Sequence, residues 1–139
     1  MFQHILVPTD FSENSGRTLE IAVNMAKHSQ GQVSLLHVIK LIPNTTFDEF
    51  ADFYQKLEDR AQQELKKLIK PYQHGPVKVE PNLLYGDRVQ EILRFTTDQN
   101  IDLIVMDSHR IDLANPAQGW GTISYKVSVL AQCPIMLIK

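Results

Sequence analysis

Apolar residues change their spacing repeatedly along this chain, and each change marks an element. Ile5 to Val7 form a short apolar run ended by Pro8. Leu19, Ala22, Val23 and Ala26 then recur at intervals of three and four, the spacing of one helical face. A second run, Val33 to Ile39, is β-branched at both ends and reads as a buried strand. After a loop at Leu41 to Thr46, the longest periodic stretch places Phe47, Phe50, Tyr54, Leu57, Ala61, Leu65 and Leu68 on one face. Pro71 and Gly75-Pro76 end that helix. Val77 to Tyr85 predicts a third strand, and Pro81 inside it assigns it to a sheet edge or a bulge, because proline lacks the ladder donor. Gly86-Asp87 opens a helix with Val89, Ile92, Leu93 and Thr96 inward. Leu103 to Met106 is a fourth strand, Ile123 to Ala131 a fourth helix, and Pro134 to Ile138 a last strand.

Continuous apolar strands separated by amphipathic helices imply a parallel sheet covered on both faces. Right-handed crossovers then leave few topologies. The expected fold is α/β: a doubly wound, Rossmann-like sheet of five parallel strands in the order 3-2-1-4-5, one domain over residues 1–139. In that order the chain reverses direction between strands one and four, and ligands bind outside the carboxyl ends of strands at such a point. The loops that meet there are Pro8 to Ser15 and Asp107 to Thr122.

Composition narrows the function classes. Sixteen acidic and 14 basic residues leave a net charge of -2, which argues against a nucleic-acid footprint. No apolar run approaches a bilayer span, and the first residues read as a strand rather than a signal peptide. Cys133 is the one cysteine, so no intramolecular disulfide is expected; this fits a reducing, cytoplasmic setting and a small packed thiol.

The second of these loops ends in Gly119, Gly121 and Thr122, just before a helix. Free N–H groups and the positive helix end make that junction a ready anion site. After strand one, in PTDFSENS, Asp10 stands where a carboxylate accepts ribose hydroxyls; alternatively Asp10 or Ser12 caps the first helix, with Asp10 and Glu13 reading as a capping box. Val38 flanks a base or simply packs in the core. His37 reads as a packed or hydrogen-bonded histidine. No G-x-x-x-x-G-K-[ST] occurs, and no G-x-G-x-x-G follows strand one. The histidines show no metal spacing, and Ser108-His109 lacks an acid to orient the imidazole. Nothing supplies an activated nucleophile, so efficient catalysis is not expected.

Together these segments resemble the universal stress protein family: HILVPTDFSENS, SLLHVI, Gly86-Asp87 before Glu91-Ile92, DLIVMDSH and QCPIMLIK, in order over nearly the whole chain. The resemblance implies a regulatory homodimer paired through residues 134–138, with ATP or another adenine nucleotide as ligand, accompanied by Mg2+. It implies nucleotide contacts at Pro8, Thr9, Asp10, Val38, Met106, Ser108, His109, Arg110, Gly119, Gly121 and Thr122. Gly121-Thr122 matches the end of the family's G-x-x-G, nine residues, G-[ST] pattern. Asp107 and Arg110 stand in place of its first two glycines, and the interval is one residue too long. A branch lacking the motif does not bind ATP appreciably, which keeps a dimeric adaptor as the alternative and a weak ATPase as a third reading. Asp107 facing a phosphate would be repelled by about 4 kcal/mol at about 4 Å in an effective dielectric of about 20. Arg110 would either take a phosphate or pair with Asp107 and close the loop.

Overall fold

The structure, a computed structural model, describes residues 1–108, 114 and 122–139. The strands are β1 (His4–Pro8), β2 (Gln32–Lys40), β3 (Lys78–Gly86), β4 (Leu103–Asp107) and β5 (Ile135–Ile138). The helices are α1 (Ser15–Ser29), α2 (Ala51–Ile69), α3 (Arg88–Asp98) and α4 (Ile123–Leu130). All strand pairs are parallel and the sheet order is β3-β2-β1-β4-β5, the expected fold.

Strand alternation divides the core in two. Ile5, Val7, Val33, Leu35, Leu103 and Val105 meet Leu19, Ala22 and Val23 of α1 and Leu65 of α2. Leu6, Leu36, Val38, Ile104 and Met106 meet Ile92 of α3 and Val127 of α4. Ile5, Leu6 and Val7 are 0% exposed, so β1 needs an apolar residue at every position rather than at alternate ones. Each such side chain contributes roughly 1.5–3 kcal/mol by burial. Pro81 lies exposed on the edge strand β3, opposite Leu35, where its missing donor interrupts no outer ladder.

The start of the second helix differs from the sequence expectation. Asp48–Phe50 is a 3-10 turn, and Phe50 leaves helical geometry before α2 begins at Ala51. The break resets the helical phase, so Phe47 and Phe50 stay 49% and 38% exposed while Tyr54, Ala61 and Leu65 are buried. Phe47 stacks on Tyr54 at 5.2 Å between ring centres and meets Tyr85 edge-on. Cys133 is half-buried beside the second core, and burial raises its thiol pKa, with the Asp102 charge adding to the effect. No helix among the described residues is long and apolar enough to cross a membrane.

The β2–α2 connection hangs on one buried hydroxyl: the Ile42 N–H donates to Tyr54 Oη at 2.7 Å. Tyr54→Phe preserves the ring and removes that acceptor. We expect a stability loss of about 1–3 kcal/mol, read as a lower urea midpoint at unchanged slope. An unchanged midpoint would show that the amide finds another acceptor.

Candidate functional site

β1 and β4 lie side by side at the centre of the sheet, and the chain leaves them toward opposite edges. The resulting cleft has a volume of about 500 Å³. Pro8, Thr9, Asp10, Val38, Met106, Ser108 and Thr122, seven of the residues expected from the sequence, line it. His109, Arg110, Gly119 and Gly121 lie outside the described residues.

Thr9 shapes the first wall. Its N–H continues the ladder to the Leu36 carbonyl at 2.8 Å. Its hydroxyl donates to Ser15 Oγ at 2.9 Å and accepts from the Phe11 N–H at 3.1 Å. This grip holds Phe11 at φ 62°, a left-handed conformation that non-glycine residues adopt only when surroundings impose it. The turn explains a correction. Neither Asp10 nor Ser12 caps α1: the helix starts at Ser15 with Asn14 at its N-cap and no side-chain cap bond. Asp10 Oδ1 instead accepts the Ser12 N–H at 3.0 Å, and its Oδ2 has no hydrogen bond among the described residues.

β4 presents its last residues to two sides. Met106 faces the second core and the cleft. Asp107 turns to α1, where Oδ1 accepts from the Thr18 hydroxyl and Oδ2 from Ser12 Oγ at 3.2 Å. The carboxylate is thus anchored by two hydroxyls, an arrangement the sequence reading did not contain. Ser108 donates its N–H to the Ile138 carbonyl at 2.9 Å, and its Oγ accepts from Lys139 Nζ at 3.2 Å. Thr122 caps α4, its Oγ1 accepting the Tyr125 N–H at 3.2 Å.

Sequence reasoning missed Arg88. Gly86 adopts φ +146°, which turns the chain out of β3, and Asp87 caps α3 by accepting the Gln90 N–H at 3.0 Å. Arg88, in the first turn of α3, then borders the cleft beside Leu36, Val38, Ile92, Met106 and Ile123. Only its place beside Gly86-Asp87 could have signalled this. Among the described residues it is the lining cation, against Asp10, Glu13 and Asp107. The result is a cleft that combines apolar walls, three carboxylates and the start of α4. No hydroxyl bordering it pairs with a histidine among the described residues.

His37 Nδ1–H donates to the Thr9 carbonyl at 2.8 Å, and its ring stacks on Phe11 at 4.2 Å. Because a carbonyl only accepts, this bond fixes the tautomer. Burial lowers the imidazole pKa; the Thr9 bond opposes this, the Arg88 charge reinforces it, and the Asp10 charge opposes it.

The universal stress protein family model matches residues 1–139. The universal stress protein YxiE of Bacillus subtilis (strain 168) is 30% identical, with 100% of each chain covered. The solved structure of the Methanocaldococcus jannaschii protein MJ0577 has a TM-score of 0.83 and 27% identity, covering 100% of this chain and 96% of that one. A universal stress protein in complex with cAMP superposes at TM-score 0.77 with 17% identity, over 99% of this chain and 97% of that one. One from Archaeoglobus fulgidus in complex with dAMP does so at 0.69 with 18% identity, over 99% and 98%. The last two likenesses are of fold.

The lowered His37 pKa has a consequence for stability. Below about pH 6.5, the ordinary histidine value, the unfolded chain takes up a proton that the native state resists. The contribution is complete above that pH and is lost as pH falls through the lowered native value. His37→Asn keeps a side-chain N–H for the Thr9 carbonyl and does not titrate. Between about pH 7 and about pH 5, urea midpoints should fall more steeply for wild type than for the variant. Parallel slopes would place the titration elsewhere.

Proposed function

The chain belongs to the universal stress protein family, and from that premise we propose that its cleft binds an adenine nucleotide with few phosphates, in a cytoplasmic, homodimeric regulatory protein. One observation carries the reading: a single cleft is lined by Leu36, Val38, Ile92 and Met106, by Asp10, whose Oδ2 has no hydrogen bond among the described residues, and by the capped start of α4. A purine fits the apolar walls, a ribose hydroxyl donates to Asp10, and a phosphate meets the N–H groups at Thr122 to Ser124. His109, Arg110, Gly119 and Gly121 belong to this proposed site by sequence. The neighbours that hold cAMP and dAMP support an adenosine with one phosphate. Asp107 disfavours longer phosphate chains, because it brings a fixed negative charge where the family pattern has a glycine. No group of three or more His, Cys, Asp or Glu that could hold a metal occurs among the described residues, so Mg2+ would enter with a polyphosphate's own oxygens.

The anchoring of Asp107 by Ser12 and Thr18 also favours a second reading, a dimeric interaction module whose cleft stays closed to nucleotides. Calorimetric titration separates the two. We expect wild type to bind AMP more tightly than ATP, and Asp10→Ala to weaken AMP by about 1.5–3 kcal/mol. Asp107→Gly should improve ATP more than AMP. Wild type that binds neither nucleotide, and releases none on denaturation, would establish the interaction module.

Dimerisation is proposed through β5. Its outer edge carries Met136, 37% exposed, and α4 beside it exposes Val129, Leu130 and Tyr125. Such an unguarded apolar edge pairs readily with a second copy about a two-fold axis. Light scattering should give a dimer at micromolar concentration, and Met136→Glu with Leu130→Glu should give a folded monomer. A monomeric wild type would exclude the pairing.

A further inference from the structure

A second cavity, about 640 Å³, lies beneath the β2–α2 connection, between the end of β2 and α2. Among the described residues it meets the cleft at Asp10, Val38 and Arg88. Ile39, Ile42 and Leu57 give it apolar walls, and two further lining side chains, Leu41 and Phe53, remain 40% and 48% exposed. Three cations, Lys40, Arg60 and Arg88, line the same hollow. None of their side chains makes an ion pair or hydrogen bond with another described residue. The carboxylates of Asp10 and of Glu64, the latter paired with Lys67 at 3.7 Å, also line it, so with a neutral His37 the lining side chains sum to one net positive charge. A solvated surface cation is ordinary. Three of them around one apolar hollow, in a chain of net charge -2, are satisfied together by an anion with an apolar body.

We propose that this cavity is a binding site for a small amphipathic monoanion, an aliphatic or aromatic body carrying one carboxylate. The body covers Leu41, Leu57 and Phe53, and the carboxylate lies among Lys40, Arg60 and Arg88. Asp10 and Glu64 exclude polyanions by repulsion. The volume falls within the range of small-molecule sites. Asp10, Val38 and Arg88 border both hollows, whereas Lys40, Arg60 and Leu57 do not border the cleft, so variants at these three test the cavity apart from the nucleotide reading.

The full chain, labelled with 15N, is titrated with octanoate and with octylammonium, probes of equal length and opposite charge. Octanoate should give saturable amide shifts concentrated on residues 39–42 and 53–64. Octylammonium should bind at least about tenfold more weakly. Arg60→Glu and Lys40→Glu, at exposed positions, should each weaken octanoate by about tenfold or more while keeping the dispersed spectrum of the wild type. Equal binding of the two probes, shifts confined to other residues, affinity unmoved by both charge reversals, or no saturable shift up to about 10 mM octanoate would overturn the proposal.

Discussion

Thr9 is the buried residue on which the end of the sheet depends. Its amide holds β1 to β2, its carbonyl accepts the His37 Nδ1–H, and its hydroxyl links the Phe11 amide to Ser15 at the start of α1. Every polar group of one residue is used, and each fixes a different element. Buried polar groups are costly when unpaired, so this set of partners constrains the loop more tightly than apolar packing alone. The left-handed Phe11, the orientation of Asp10 and the stacked His37 all follow from it.

The second constraint is the alternation of β4. Successive strand residues face opposite sides of the sheet, so Met106 and Asp107 cannot serve the same wall. Met106 completes the apolar slot, whereas Asp107 is delivered to the hydroxyls of Ser12, just before α1, and Thr18 within it. A charge at this position is tolerable in folding terms because Ser12 and Thr18 donate to it. It still leaves the cleft richer in carboxylates than in cations among the described residues.

Much of this was legible in the sequence. Uninterrupted apolar strands could only be buried on both faces, and Pro81 placed β3 at an edge; the expected order 3-2-1-4-5 is one of the few topologies consistent with both. Asp10, Val38, Met106 and Thr122 converge on the cleft because strand ends were correctly located. Where reasoning failed, the cause was a local break in period. Phe47 and Phe50 carry helical spacing into Tyr54, but a 3-10 turn of Asp48–Phe50 shifts the phase. The capping motif of Asp10 and Glu13 has the right residues, yet the turn at Phe11 delays α1 to Ser15. Arg88 and the cavity under the β2–α2 connection depend on how separate elements meet, and no residue spacing encodes that.

At the opposite end of β1, the Asp102 carboxylate accepts the backbone N–H groups of Gln3 and His4, at 2.7 and 3.1 Å. Its amide in turn donates to the His4 carbonyl. β1 is the middle strand of the sheet, and one of its sides is completed only by a segment 99 residues later. During synthesis, β1 can dock with β2 soon after both have emerged, but its other edge stays open until β4 arrives. Contacts so distant in sequence form slowly, because a long loop must close first. While the residues between β1 and β4 are being made, the nascent chain thus carries an apolar, unpaired strand edge, the interval in which chaperones have most to protect.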